Sequence, residues 1–314
     1  MERLTDQIQA EVNRVILGKQ DVVRKVLLAA LAGGHVLLED VPGVGKTTMA
    51  MAFARTLGLD TRRVQFTSDT LPSDIIGFSV YDKKTEQLHY QPGAVMTNLL
   101  LADEINRTSS KTQSALLEAM EERQVTVDGK TRPLPRPFLV LATQNPVGSA
   151  GTQMLPSSQL DRFLIRLSMG YPDRASQMAL MRDRHTENPL DHCKTVGDGA
   201  ALLKLSDEAM AVYVSDTVYG YIADLAEATR QDPDVALGLS PRGALALCRA
   251  SKANAYLEGR DYVTPDDVAA LLENVAGHRL VLSAKSRLHE RSAETILAEI
   301  LKKVRRPGVK EWKL

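Results

Sequence analysis

The chain has 314 residues, of which 44% are hydrophobic and 25% are charged, a globular composition with a length typical of about two domains. Lysine plus arginine and aspartate plus glutamate both number 39, and this neutrality disfavours a nucleic-acid motor, because such proteins usually carry a basic excess. We find no apolar run near 18 residues and no charged-then-apolar leader, which predicts a cytoplasmic protein without a membrane span, and Cys193 and Cys248 are expected to be free thiols.

Residues 1–34 are predicted to form two helices. The second runs from Gln20 to Leu31 with one apolar face, and Gly33-Gly34 ends it. The loop between them, residues 16–19, comes just before the most informative stretch of the chain. This loop either contacts an adenine or is a plain connector, and the sequence leaves both interpretations open.

The next stretch has the strand, glycine loop and helix of a phosphate-binding motif. An apolar run from Val36 to Leu38 indicates a buried strand, and residues 47–55 indicate a helix that closes at Gly58. Glycines without side chains let backbone N–H groups approach phosphate oxygens, and the helix N-terminus adds partial positive charge. The candidate nucleotide-binding residues are Asp40, Val41, Pro42, Gly43, Val44, Gly45, Lys46, Thr47 and Thr48.

Lys46 and Thr47 give this loop its chemistry. The Lys46 ammonium can reach the β- and γ-phosphates, and the Thr47 hydroxyl can bind Mg²⁺. One position departs from the usual G-x-x-x-x-G-K-T pattern, since Asp40 stands where a first glycine is expected. The alternative is a Gly/Pro turn that merely precedes lysine and threonine.

A predicted strand at residues 63–67 leads into a less regular stretch, residues 68–96. Within it, Leu71 to Gly77 predicts a loop and short helix, and residues 78–81 and 87–90 flank a polar turn and predict a hairpin. An insertion of this length in a simple βαβ pattern usually carries function.

Two adjacent carboxylates follow the next apolar run. Asp103 and Glu104 end a predicted strand, which delivers them to the carboxyl edge of a sheet, where doubly wound folds bind ligands. Asp103 can hold Mg²⁺, and Glu104 can orient and activate an attacking water. The alternative is a strand that ends in surface acids, but a position about 55 residues after Gly-Lys-Thr favours the site.

Residues 109–123 predict a helix, and residues 124–133 predict a hairpin whose Asp128-Gly129 pair suits a type I′ turn. Another buried strand, residues 138–145, ends at Asn145. Asn145 would lie at the same sheet edge as Asp103 and can hydrogen-bond the γ-phosphate or the water. Followed by a proline, it can equally be a turn former.

Arg162 stands between a predicted short helix, residues 155–161, and a last strand, residues 163–167. A cation at such a junction is usually a surface residue, paired with Asp161 or another acid, but in a ring it could reach a neighbour's γ-phosphate. A helix at 172–185 and a linker at 185–189 follow.

From residue 199 the pattern is wholly helical. Ser206 is predicted to cap one helix, residues 216–231 and 293–304 form others, and Ser240-Pro241 and Thr264-Pro265 start two more. Arg242 falls in a first helical turn. Because cations are unfavourable there, its position favours a nearby anion.

The order and spacing of these motifs resemble those of MoxR-type AAA+ ATPases over nearly the full length. The matching segments are residues 40–47, 100–107, 116–125, 142–146, 159–163 and 240–242. The resemblance implies that Lys46 and Thr47 belong to Walker A, that Asp103 and Glu104 form Walker B, and that ATP and Mg²⁺ are the cofactors. It also implies roles for Asn145 as sensor 1, Arg162 as arginine finger and Arg242 as sensor 2, and members similar to this chain share Asp40.

The resemblance further implies the architecture. We expect an α/β AAA+ P-loop domain with a central parallel sheet at residues 1–185, followed by a small all-helical lid at 186–314. Residues 68–96 resemble the helix-2 insert, and 124–134 the hairpin before sensor 1. Family members are commonly hexameric and are thought to act as chaperone-like ATPases on protein clients. Their partners often carry a von Willebrand factor A domain, and they often mature a complex or insert a metal cofactor.

Two other functions stay open. A DNA-associated motor is disfavoured by neutrality and by the lack of a recognisable separate DNA-binding domain, although a pore hairpin could carry local charge. A nucleotide-gated assembly scaffold would bind ATP with little turnover, and Glu104 disfavours it, because a pure switch does not need a water-activating carboxylate. A σ54-type activator is disfavoured because residues 68–96 lack the Gly-Ala-Phe-Thr-Gly-Ala loop.

Overall fold

The computed structural model describes residues 2–39, 43–144, 155–183 and 188–308. Their contacts group the chain into two compact units, each built from separated segments. The first unit contains Met1–Leu27, His35–Leu155 and Leu167–Leu203. The second unit contains Leu28–Gly34, Pro156–Arg166 and Lys204–Leu314.

The first unit contains β2, β5, β8 and β1 of a five-stranded sheet of order β2-β5-β8-β1-β9, and the β9 residues Ile165 and Arg166 group with the second unit. Its strands are β1 (Val36–Glu39), β2 (Thr61–Gln65), β5 (Leu99–Asp103), β8 (Leu139–Gln144) and β9 (Ile165–Leu167). The pairs β2–β5, β5–β8 and β8–β1 are parallel. All of β5 and nearly all of β1 and β8 are buried, as expected for parallel strands covered on both faces.

Helices of the first unit agree with the sequence predictions to within a few residues. They are α1 (Leu4–Val15), α2 (Gln20–Leu31), which continues into the second unit, α3 (Lys46–Thr56), α5 (Ser110–Glu122) and α7 (Arg174–Asp183). The α1 helix packs on α3. Ser109 caps α5 by accepting a hydrogen bond from the Thr112 N–H. These helices carry strong local signals, which is why their positions could be predicted.

Both predicted hairpins are confirmed. The short helix α4 (Pro72–Ile76) leads into β3 (Gly77–Asp82) and β4 (Gln87–Pro92), which pair antiparallel. The second hairpin joins β6 (Gln124–Val127) to β7 (Lys130–Pro133). Asp128 and Gly129 have φ of 52° and 72°, as a type I′ turn requires.

The second unit is mainly helical. Its helices are α6 (Ser157–Leu160), most of α8 (Gly199–Met210), α9 (Asp216–Gln231), α10 (Pro241–Leu257), α11 (Pro265–Ala276), α12 (Ala284–Leu288) and α13 (Ala293–Lys303). Ser240 and Thr264 cap α10 and α11 as predicted. Ser206 does not cap a helix but lies inside α8, where its hydroxyl donates to the Leu31 carbonyl at 2.7 Å.

The sequence did not predict β10 (Val235–Leu237) and β11 (Val281–Leu282), which pair antiparallel in the second unit. Both cysteines are free thiols, as expected. Within the described ranges, no helix has the length and apolar character needed to cross a membrane.

Candidate nucleotide site

The loop after β1 turns sharply on two glycines. Gly43 and Gly45 have φ of 84° and 98°, in the left-handed region that residues with a Cβ rarely adopt. A Cβ added at Gly43 would meet nothing within 4 Å, so the backbone conformation is the constraint there. Gly45 is also the N-cap of α3 and has no side-chain acceptor, and a helix start of this kind favours an anion.

A cleft of about 320 Å³ opens at this helix start. It brings together seven of the residues selected from the sequence, namely Gly43, Gly45, Lys46, Thr47, Thr48, Asp103 and Glu104. Three further residues complete its lining, namely Arg63, Gln65 and Thr143. Asp40, Val41, Pro42 and Asn145 lie outside the described residues.

Asp103 is held by two side chains on the neighbouring strands. The residue is 6% exposed. Its Oδ1 accepts a hydrogen bond from Thr143 Oγ1 on β8 at 3.2 Å, and its Oδ2 accepts one from Arg63 Nε on β2 at 2.7 Å. Both carboxylate oxygens are therefore engaged, and the side chain of the cationic partner Arg63 is about half exposed.

Glu104 lies in a left-handed conformation, with φ of 57° and ψ of 48°. For a residue with a long side chain this conformation costs on the order of 1–2 kcal/mol. The Glu104 N–H donates to Thr143 Oγ1 at 2.9 Å, and the carboxylate Oε2 accepts from Arg107 Nη1 at 2.7 Å. The Thr143 hydroxyl thus orients both acids, because it bonds to the Asp103 carboxylate and to the Glu104 backbone N–H.

The oxygen ligands in this cleft fit a magnesium ion. The Asp103 carboxylate and the Thr47 hydroxyl line the same space, and Mg²⁺ is usually bound by one or two such ligands together with phosphate oxygens and waters. The described ranges contain no group of three or more His, Cys, Asp or Glu suited to a metal.

A second cleft of about 270 Å³ adjoins the first and shares Gly43 and Gly45 with it. Ile16, Leu17 and Lys19 of the α1–α2 loop line one part of it, and the remaining lining residues are Val44, Tyr171, Pro172, Gln177 and Leu180. Lys19 Nζ donates to the Tyr171 carbonyl at 2.8 Å. The loop at residues 16–19, whose role the sequence left open, therefore borders a partly apolar space beside the phosphate-binding turn.

Arg162 and Arg242 belong to the second unit. Arg162 follows α6 and is partly buried, whereas Arg242 is exposed in the first turn of α10. The carboxylate of Asp161, considered above as a partner for Arg162, accepts hydrogen bonds from Arg279 and Ser240.

Sequence reasoning missed Arg63, Gln65 and Thr143. Each lies on a strand beside or across from Asp103, and the register pairs Gln65 with Asp103 directly. Once the strand order is known, the signal is simple, because polar residues near the carboxyl ends of adjacent parallel strands meet at one edge. Without that order, no spacing in the sequence identifies them.

Comparison with known proteins agrees with this geometry. The model of the ATPase family associated with various cellular activities (AAA) matches residues 35–165, and that of the AAA lid domain matches residues 227–300. The chain is 48% identical over 296 residues to the uncharacterized protein YeaC of Bacillus subtilis, covering 94% of this chain and 92% of YeaC. A crystal structure from Cytophaga hutchinsonii, of a protein assigned as an ATPase, superposes with a TM-score of 0.90 at 36% identity, covering 97% of this chain and 95% of that one.

Two further relatives carry a family name. Chaperone MoxR1 of Mycobacterium tuberculosis is 40% identical over 308 residues, covering 95% of this chain and 81% of the relative. The MoxR protein of Paracoccus denitrificans is 33% identical over 299 residues, covering 88% of each. With its parallel sheet, its glycine loop and paired carboxylates in one cleft, and its helical lid, this chain belongs to the MoxR-type AAA+ ATPases.

Proposed function

We propose that the cleft at the start of α3 hydrolyses ATP to ADP and phosphate. The observation that carries this proposal is the meeting of Lys46, Thr47, Asp103 and Glu104 in one cleft. Lys46 faces the β- and γ-phosphates together with the N-terminus of α3. Thr47 and Asp103 hold Mg²⁺, which, when bound, neutralises charge on the phosphates. Glu104 orients the attacking water and takes its proton.

The other candidate residues have supporting roles in this proposal. The loop of residues 40–45, with Thr48, wraps the phosphates, and Asn145 hydrogen-bonds the γ-phosphate or the water. The adjoining cleft beside Ile16, Leu17 and Lys19 accepts the adenine, since it shares two glycines with the phosphate cleft. Arg162 acts as the arginine finger and Arg242 as sensor 2.

The test of ATP hydrolysis uses two variants with matched controls. We expect Lys46→Ala to abolish tight ATP binding, because it removes the cation that faces the phosphates. Glu104→Gln should keep ATP binding and lose turnover, because the amide preserves shape and cannot accept the proton. Lys111→Ala and Glu118→Gln, which change an exposed lysine and an exposed glutamate, are the controls. Near-normal affinity in Lys46→Ala, or wild-type turnover in Glu104→Gln, contradicts the assignments.

At the level of the assembly, we propose a hexameric ring that remodels or matures a protein complex. The chaperone name of the relative MoxR1 supports this role, and residues 186–314 are proposed as its lid. A partner with a von Willebrand factor A domain, and insertion of a metal cofactor as the outcome, follow from the family resemblance alone. A cytoplasmic location stays a prediction from the sequence.

In the proposed ring, Arg162 completes the site of the next subunit. A guanidinium donated to a neighbour's γ-phosphate is worth roughly 10³–10⁵ in rate. The test mixes Arg162→Ala subunits, which keep their own Walker motifs, with Lys46→Ala subunits, which keep the finger. A mixture that hydrolyses ATP faster than either variant supports action between subunits. If subunit exchange is verified and activity equals the sum of the two parents, Arg162 does not act in this way.

A further inference from the structure

A buried arginine in the second unit grips the chain segment that carries Arg162. Arg279 is 5% exposed. Its Nε donates to Asp161 Oδ1 at 2.7 Å, and its Nη2 donates to the carbonyls of Asp161 and Phe163 at 3.1 and 2.6 Å. Its Nη1 donates to the Leu164 carbonyl at 3.1 Å. Because a guanidinium presents its donors in a rigid fork, these bonds fix the path of residues 161–164.

The same carboxylate reaches the start of α10. Ser240 Oγ donates a hydrogen bond to Asp161 Oδ2 at 3.1 Å. The same Ser240 oxygen accepts a hydrogen bond from the Gly243 N–H at 3.0 Å, as the N-cap of α10. Gly243 packs closely here, since a Cβ on it would lie 3.0 Å from Arg279 Cδ. The first turn of α10 is therefore tied to Arg279 through one hydrogen-bonded relay, and it leaves no room for a side chain at Gly243 beside Arg279.

Two arginines of the candidate site are close in sequence to members of this network. Arg162 directly follows Asp161, and Arg242 is two residues after Ser240. Burial lowers the pKa of Arg279, the Asp161 carboxylate opposes that shift, and the charge of Arg242 lowers the pKa further. We call Arg279, Asp161 and Ser240 the arginine hub.

We propose that the arginine hub is a positioning device that holds the Arg162 segment and the first turn of α10 as one body. The inference rests on the proposed ATPase function, in which Arg162 is the arginine finger and Arg242 is sensor 2. A displacement of Arg162 is then passed to Arg242, so the hub couples the positions of the two arginines. Stability alone is a weak reason for such a network, because well-packed apolar residues often replace buried ion pairs without loss.

The kinetic test compares two serine N-caps in the same unit. Ser240→Ala cuts the link to Asp161 and removes a helix cap, whereas Ser215→Ala removes only the cap of α9, so the two variants lose a cap of the same kind. We expect Ser240→Ala to lower kcat about tenfold or more, with nucleotide affinity within about twofold of wild type. Asp161→Asn should behave likewise, and Ser240→Thr, which keeps the hydroxyl, should restore kcat.

Two kinetic results overturn the proposal. In the first, Ser240→Ala has the same kcat as Ser215→Ala. In the second, kcat and nucleotide affinity fall together in proportion to the loss of thermal stability, as a purely structural role predicts.

A second measurement does not depend on hydrolysis. The native Cys193 and Cys248 are replaced by alanine, and new cysteines at Ser158 and Leu245 carry spin labels. Leu245 is 67% exposed. The labels report the distance between the Arg162 segment and α10. We expect Asp161→Asn in this full-length background to broaden the distance distribution measured by double electron–electron resonance. An unchanged distribution overturns the proposal. If the wild-type chain does not hydrolyse ATP, the proposed function fails, and the distance measurement still decides whether the hub fixes these two segments.

Discussion

Arg63 should compete with magnesium for Asp103. Its Nε donates to Asp103 Oδ2 at 2.7 Å, in the cleft where the proposed site needs that carboxylate for the metal. Two unit charges about 4 Å apart attract by about 1 kcal/mol in water and about 4 kcal/mol at an effective dielectric constant near 20. Asp103 is buried but the Arg63 side chain is 54% exposed, so we take a value of about 1–2 kcal/mol, near the lower limit.

Replacing Arg63 by glutamine removes this charge and keeps a hydrogen-bond donor. We expect the free Mg²⁺ concentration that half-saturates binding of a fluorescent ATP analogue to fall roughly tenfold, because about 1.4 kcal/mol corresponds to a factor of ten. Arg62→Gln is the matched control. Arg62 is the preceding residue on the same strand, and its Nη1 donates to the Gly93 carbonyl at 2.8 Å.

Two outcomes of this titration refute the reasoning. If Arg63→Gln and Arg62→Gln have the same magnesium midpoint, the ion pair does not oppose the metal. If the midpoint instead rises in Arg63→Gln and affinity is lost even without magnesium, Arg63 contacts the phosphates directly.

Two further predictions concern a hydroxyl in the cleft and a carboxylate in the second unit. Thr143→Val should lower kcat about tenfold or more with little change in nucleotide affinity, because Asp103 and the Glu104 N–H lose their shared partner. Thr56→Val, which removes another buried hydroxyl, is the control. Equal kcat in the two variants contradicts this role for Thr143. Burial alone raises the pKa of Asp267, but Arg260 and Thr264 lower it more, so the net shift is downward. The stabilising contribution of Asp267 is present above the ordinary aspartate pKa and is lost as the pH falls through the lowered value. Urea unfolding should therefore show that Asp267→Asn is less stable than wild type at neutral pH and equally stable in strong acid. An equal loss of unfolding free energy at both pH values would exclude this linkage.

The sequence predicted those parts of the site that lie within one continuous stretch. The glycine loop before Lys46 and the two carboxylates after β5 are each local patterns with a mechanical meaning. Turn chemistry is equally local, and the Asp128-Gly129 pair therefore predicted its hairpin. In contrast, β10 and β11 have three and two residues, which is too short for any alternation to be recognised, and they are separated by two helices.

Residues supplied by neighbouring strands could not be predicted in this way. Arg63 lies 40 positions before Asp103 and Thr143 lies 40 positions after it, and neither belongs to a motif that marks it. They meet because β5 lies between β2 and β8 in a parallel sheet. Which strands are neighbours depends on the packing of the whole unit, so a reading of separate stretches finds the two carboxylates without finding what holds them.

The turn at Glu104 also depends on those neighbours, and it decides what the two carboxylates can do. In a continuing strand, successive side chains point to opposite faces, so Asp103 and Glu104 would be separated by the sheet. The left-handed backbone at Glu104 ends the strand and lets both residues line one cleft. Thr143 supports this conformation by accepting the Glu104 N–H while donating to Asp103. The proposed division of work, in which Asp103 holds the metal and Glu104 the water, therefore requires a polar side chain on the adjacent strand as much as the two acids themselves.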